Sequence, residues 1–287
     1  MTNLSRRNFL TSASAAAVAM PFVSRPALAL APAVRLGLTS PTTFYVDSNA
    51  PDDSAAGDSH YSPKRTIQAM WNWCQANLDL QTQPLTIQCA DGFNGPGLIA
   101  YEPMLGAGAA MPLIRGNPGD LAACTISDRN ACFSGLRNAV FGVDGFRLAS
   151  QTTHIKAQWF SLINFANVDF GPCSGSHIDC TKLGSVMTAP GVNKISGGGM
   201  AHIMSSGGGL PILSSVQYDI VNEPKFTAGF VFEFQGGNAT IHTMTWNGTA
   251  KGRRYWIDTN STGNFEGLLD SLPGDEAGYI SSTSSAL

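Results

Sequence analysis

The chain has 287 residues, 43% of them hydrophobic and 13% charged, with 31 glycines and a formal net charge of -3. That is enough apolar material for one sizeable core, or for a small cap and one long domain. Scarce Lys and Glu beside plentiful Gly, Ser, Thr and Asn disfavour helical bundles and suit turn-rich β structure. The acidic balance argues against nucleic acid as a partner.

The N-terminus carries the most specific short signal. Ser5-Arg6-Arg7-Asn8-Phe9-Leu10 resembles the twin-arginine export motif, and an apolar run from Ala13 to Val23 follows, then Arg25 and the small-x-small site Ala27-Leu28-Ala29. The run is Ala-rich and too weakly apolar for a good membrane span, so contact with a membrane is expected to be peripheral at most. An ordinary amphipathic helix is the competing reading. The twin-arginine resemblance implies export of an already folded protein to the periplasm or beyond. Without Arg6, Arg7 and Arg25, which lie in a segment with no acid, the remainder has 14 basic against 20 acidic residues, about -6.

Val34 to Pro41 reads as linker and Thr43-Phe44-Tyr45-Val46 as a first strand. The Asp-bearing loop from Asp47 to His60 lacks the twelve-residue EF-hand spacing and reads as solvated. Ser62-Pro63 is expected to open a helix, with Ser62 as cap and Pro63 in the first turn. Ile67, Met70, Trp71, Cys74 and Leu78 then form one apolar stripe, which reads as a lid over the end of a solenoid. Leu85 to Cys89 is the next strand, and Pro112 to Ser127 an early coil.

From Ala139 to Gly248, short apolar clusters recur every eight to twelve residues between Gly, Asn, Asp and Pro, the pattern of strands. The Gly197–Gly199 and Gly207–Gly209 triplets lack the Lys-Ser/Thr of a phosphate loop and read as tight turns. Phe230 to Phe234 is the clearest alternating strand, with the Phe side chains on one face and Glu233 on the other beside Val231. The Ser/Thr-rich C-terminus is expected to fray. The expected fold is an all-β, single-stranded right-handed parallel β-helix with an N-terminal capping helix. Its divisions are a signal peptide at 1–29, a linker at 30–42, strand and helical cap at 43–92, the β-helix at 93–256, and a C-terminal segment and tail at 257–287.

The six cysteines show no CxxC pair and no His at zinc-ligand spacing, so neither metal nor cofactor is expected. Local bridges such as Cys124–Cys132 or Cys173–Cys180 are one reading; small buried hydrophobes are the other, favoured because folding before export occurs in a reducing compartment.

Tyr45-Val46-Asp47, Ser62 to Leu80, Leu85 to Gly92, Val168-Asp169-Phe170-Gly171, Ile195 to Gly198, Gly252-Arg253-Arg254-Tyr255 and Leu272-Pro273-Gly274 resemble right-handed parallel β-helix proteins of prophages. These are tailspike- or tail-fibre-like members of the broad pectate-lyase-like group. The resemblance implies a single-domain β-helix, often trimeric, whose lateral face holds polysaccharide. A twin-arginine signal departs from that family and points to a host-exported relative. The paired-Asp and His/Arg signatures of polygalacturonases and the Asp-and-Arg set of pectate lyases are not recognisable.

For hydrolysis, two carboxylates must face each other across a groove, and strands about 4.8 Å apart on neighbouring coils could supply them. Asp169, Asp179, Asp219, Glu223 and Glu233 are the candidates, with Glu233 foremost because apolar neighbours would raise its pKa. A solvated outer-face charge is the alternative for Glu233. His177, which shares a strand face with Asp179, and His202 and His242 are candidate acids or bases. No Ser sits in a GxSxG elbow. Trp246, Arg254, Tyr255 and Trp256 suit sugar stacking and carboxylate recognition, or else close the C-terminal end of the coil. Two functions follow: an exported carbohydrate-binding protein that hydrolyses or eliminates at a polysaccharide, or a non-catalytic tail-fibre-like binding protein.

Overall fold

The computed structural model describes residues 35–108 and 110–287, so the export signal lies outside the described residues. Its strands run parallel and stack as a right-handed β-solenoid. Two stacks of eight strands form its walls. The first runs from Thr42–Val46 through Leu85–Cys89, Leu113–Arg115, Val140–Ser150, Leu162–Phe170, Ser185–Thr188 and Leu210–Ser214 to Thr240–His242. The second runs from Leu98–Ala100 through Ala131–Gly135, Thr153–Gln158, Ser176–Thr181, Gly199–Ser206, Phe226–Phe234 and Tyr255–Ile257 to Tyr279–Ile280. Shorter strands extend the first sheet around a bend, Val192–Ile195 and Gln217–Ile220 among them. The rung repeat is 22 residues from Val140 to Leu162, 23 from Leu162 to Ser185 and 25 from Ser185 to Leu210.

Inward positions stack in columns. Leu98, Phe133, Ile155, Ile178, Ile203, Val231 and Tyr255 are successive rungs of one. Phe44, Ile87, Ile114, Val143 and Phe165 make the facing one. Apart from Tyr255 all of these are buried. Burying each such side chain is worth roughly 1.5–3 kcal/mol, and coils with little helix depend on these columns for stability.

After each of the six second-sheet strands from Ala131–Gly135 to Tyr255–Ile257 the backbone turns through two residues of positive φ: Arg137-Asn138, Trp159-Phe160, Lys182-Leu183, Gly207-Gly208, Gln235-Gly236 and Thr259-Asn260. The Gly207–Gly209 triplet is therefore a turn, as expected.

The helix spans Ile67–Asn77 and buries Ile67, Met70, Trp71 and Cys74, with the Trp71 ring 5.5 Å from Phe141. Its cap is Thr66, not Ser62: Thr66 Oγ1 accepts from the Ala69 amide at 3.2 Å. Ser62 and Pro63 are held elsewhere, because Gly57 N donates to Ser62 O and Lys64 bridges to Val46. The buried Lys64 ammonium donates to the carbonyls of Asp53 and Ala55, both at 2.7 Å, so the Asp-rich loop wraps a cation of its own chain.

Two further expectations are corrected. Leu36–Gly37, read as linker, is a short strand paired with Leu78–Asp79. The tail is tied down rather than frayed: Ser285–Ala286 pairs with Thr262–Gly263, and Phe265 N donates to Leu287 O at 2.7 Å. All six cysteines are free thiols; five are buried and Cys173 is half-buried. Burial pushes their pKa values up, to about 12 for Cys74, Cys132 and Cys173.

Candidate functional site

The four residues first in line for catalysis are spread over three surfaces. Glu233 shares the inward face with Val231, stacked between Ser205 and Ile257, and is fully buried. Neither carboxyl oxygen has a hydrogen bond of normal geometry, although the nearby Ala239 amide eases the charge slightly. Burial pushes its pKa up to about 8. That proton affinity suits a general acid, but the side chain faces the core and a polymer outside the wall cannot reach it. The Phe side chains also divide: Phe232 and Phe234 point out, while Phe230 is buried against His202 and Trp246. The irregular register at Gly199/Ala201 falls just before Phe230 and breaks the simple alternation.

His177 is likewise fully buried. Asp179 faces outward on the second sheet, nearly covered, with its carboxylate 3.2 Å from Lys156 Nζ. Burial raises its pKa and the Lys156 ammonium pulls it back. Asp219 lies on the first sheet's bend, where Gln217 and Asn247 donate to it at 2.8 and 2.9 Å and hold it below the usual carboxylate range. Glu223 pairs with Lys251 at 3.5 Å and His242 with Glu266 at 3.8 Å, both near the surface.

Arg147, Asp169, Lys194, Asp219 and Asn247 are successive outward rungs, a column of alternating charge. A cleft of about 450 Å³ opens beside it, lined by Asp120, Arg147, Asp169, Lys194, Ser196 and Asn222 among others. Asp169 and Asp219 are two rungs apart, about 9–10 Å between backbones, close to the separation of inverting glycosidases. Lys194 stands between them, 3.8 Å from Asp169. The hydrogen bonds from Asn247 and Gln217 favour the Asp219 carboxylate, so in such a pair Asp219 suits the base and not the acid.

The second sheet's outer wall carries a different column. Lys156, Asp179, Met204, Phe232, Trp256 and Tyr279 are successive rungs. Phe232 lies 4.9 Å from Phe234 in a stacked pair and 5.9 Å from Trp256, which is 5.9 Å from Tyr279. The Arg253 guanidinium sits 5.0 Å over the Trp256 ring. Tyr279 and Ile280 are 45% and 37% exposed, so the strip opens to solvent at its C-terminal end. Neither Arg253 nor Arg254 has a salt bridge among the described residues.

Of the expected sugar-contacting residues, the structure therefore brings Trp256 to this strip. Trp246 turns inward, 5.0 Å from Tyr218 and 5.1 Å from Phe230. Tyr255 ends the inward column beneath Gly278, whose missing side chain leaves room for the ring. Arg254 is half-buried beside them. Phe232, Phe234, Met204 and Tyr279 were not singled out from sequence. The available signal was register: Met204, Phe232 and Tyr279 share one strand position on different coils, and Phe234 follows Phe232 on the same strand face.

A third column, in the interior, joins His177 and His202, both candidate acids or bases from sequence, to His154, which was not singled out. His154, His177 and His202 follow one another at 23 and 25 residues, one coil each, all fully buried. Burial lowers their pKa values, to about 3 for His154 and His202.

Comparisons with protein-family models, curated proteins and solved structures return no match for this chain. The fold and its outward columns define the class: a parallel β-solenoid presenting an aromatic strip on one wall and an alternating charge column on the other. No helix among the described residues is long and apolar enough to cross a membrane.

Proposed function

We propose that this is an exported polysaccharide-binding solenoid that holds its ligand along the second sheet's outer wall and does not cleave it. The observation that carries this reading is the Met204–Phe232–Trp256–Tyr279 column with Phe234 beside it. Aromatic faces spaced by the strand repeat offer successive apolar platforms for sugar rings, each worth roughly a kcal/mol beyond simple burial. Arg253 and Arg254 supply donors for hydroxyl or carboxylate groups, so a uronic-acid-bearing chain is the ligand class that fits best. The absence of cleavage in this reading rests on the setting of the acids: Glu233 lies inside, Asp179 is paired with Lys156 on one wall, and Lys194 stands between Asp169 and Asp219 on the other. In the same reading, Arg6-Arg7 directs export and the Ile67–Asn77 helix is the lid of the N-terminal end.

Affinity electrophoresis through gels containing uronic-acid polysaccharide tests this, with polymer length measured in parallel. Retardation of the wild type, lost at least tenfold in Trp256→Ala, with polymer length unchanged, is the expected outcome. Shortened polymer would establish an enzyme instead. Retardation that survives Trp256→Ala and Phe232→Ala would move binding off the strip. A strip that mediates a tail-fibre-like trimer would show as a fall in oligomer mass in the same variants.

A further inference from the structure

The buried histidine column has a feature that packing alone does not explain. Phe170 packs on all three rings, at 5.9 Å from His154, 5.3 Å from His177 and 5.2 Å from His202, and Phe230 closes the column 4.9 Å from His202. Those contacts satisfy the carbon faces of the imidazoles, not their nitrogens. Both nitrogens of His154, Nε2 of His177 and Nε2 of His202 are buried with no hydrogen bond of normal geometry among the described residues, although the backbone of Gly171 and Gly198 lies close enough to His177 to favour its charged form slightly. Leaving a buried polar group unpaired costs about 1–3 kcal/mol. Four such atoms in one column are a heavy burden for a core that could have used Phe or Leu at each rung.

A thiol stands at the same place. Cys173 lies in the turn from Gly171 to Gly175 that enters the His177 strand, four residues before His177. His154, Cys173 and His177 each offer a donor atom, and these three atoms lie within 4.8 Å of one another. The His154 and His177 rings are nearly parallel, 4.9 Å apart with 12° between planes. A side chain at Gly199 would strike the Gly175 carbonyl at 2.6 Å and come 3.0 Å from Cys173 Sγ, so the glycine lets the backbone pass close to both.

We propose that His154, Cys173 and His177 form a site for a borderline-soft divalent cation of the zinc class, built into the solenoid interior. Imidazole and thiolate together select such ions over Mg²⁺ and Ca²⁺, which take oxygen ligands. Zn–N bonds of about 2.0–2.1 Å and a Zn–S bond of about 2.3 Å put tetrahedral donors ~3.3–3.8 Å apart. The donor atoms here lie within 4.8 Å of one another, a spread that rotation of the half-buried Cys173 and a small tilt of the rings would bring to bonding distance. His177 Nδ1 is 2.9 Å from His202 Nδ1, which leaves Nε2 as the metal-facing atom of His177. His202 is then a positioning residue: accepting from the Nδ1–H of His177, it fixes the tautomer that presents Nε2. On binding, Cys173 gives up its thiol proton to solvent and the S–metal bond replaces S–H. Cys173 is also the one cysteine that is not fully enclosed, and so marks the way in.

The test uses the full chain, stripped with a chelator and dialysed against Co²⁺ or Zn²⁺, both natively and through refolding. One equivalent of Co²⁺ per chain, with thiolate-to-cobalt charge-transfer absorption and a raised melting temperature, is expected. Cys173→Ala should lose the charge-transfer band and weaken binding at least tenfold, and His154→Gln should weaken it comparably. His242→Ala, at the surface, should leave binding unchanged. No stoichiometric uptake by either route overturns the proposal. So does uptake that is undiminished in both Cys173→Ala and His154→Gln. Far-ultraviolet circular dichroism separates a variant that has lost the metal from one that has not folded; if one variant fails to fold, the other decides.

Discussion

Glu233 shows what a single residue's alternation can and cannot tell. The pattern of Phe230 to Phe234 places Glu233 opposite two aromatics, and so it is. It does not say which face is the core, because both faces are apolar: Val231 lies inside while Phe232 and Phe234 lie outside. Larger residues on the outer wall invert the usual inference from hydrophobicity. The raised pKa expected from apolar neighbours is present, at about 8, without access to substrate. Its consequence is for stability. The unfolded carboxyl titrates near 4.5 and the folded one near 8, so between these values the folded state holds the extra proton. Stability is complete below about pH 4.5 and declines as pH rises through about 8, by up to roughly 5 kcal/mol at 1.4 kcal/mol per unit. Glu233→Gln, neutral throughout, should flatten that slope and be more stable than the wild type at about pH 9. Denaturant midpoints at about pH 5 and about pH 9 measure it; an unchanged slope in the variant would remove Glu233 as the cause.

At the scale of the element, the turns were more legible than the strand faces. Gly207-Gly208-Gly209 was recognisable as a turn because glycine tolerates the positive φ found at Gly207 and Gly208. Trp159-Phe160 and Lys182-Leu183 take the same backbone on neighbouring coils without glycine, and nothing in their side chains announces it. The helix stripe was legible for the same kind of reason, its period being 3.6; its cap was not, because Asp53 reaches across the loop to hold Thr66 at 2.8 and 3.0 Å. Two glycines separate conformational from steric cost. A side chain at Gly209 would strike the Cys180 carbonyl, whereas nothing lies within 4 Å of one at Gly236, where φ is +75°. Gly209→Ala should therefore cost about 3 kcal/mol or more, through backbone displacement in a packed wall. Gly236→Ala should cost about 1 kcal/mol, the strain of the left-handed region alone. Equal shifts in denaturant midpoint for the two would show that the turn column yields more readily than its contacts imply.

For the whole molecule, the strand spacing of eight to twelve residues was readable from sequence, and with it the solenoid; the coil repeat of 22 to 25 residues emerges only from the register of the stacked strands. What is shared between coils was not readable. The histidine column, the aromatic strip and the charge column are each made of residues one coil apart, a spacing that matches no local motif and emerges only once register is fixed. The same stacking logic governs the C-terminal end. Tyr279–Ile280 pairs with Trp256–Ile257, and Ser285–Ala286 with Thr262–Gly263, so the last nine residues supply the final rung of both. Removing residues 279–287 would bare the Trp256 strand edge and the half-covered Phe232–Trp256 strip together, an unpaired parallel edge beside an apolar wall. We expect the truncated chain to associate edge to edge at concentrations where the full chain stays dispersed, with its melting temperature lowered by several degrees. Light scattering and thermal unfolding on matched samples read both effects. A truncated chain that stays dispersed and melts as the full chain does would mean that the preceding coil closes its own edge. The Ser/Thr-rich tail would then be dispensable to the solenoid despite its pairing.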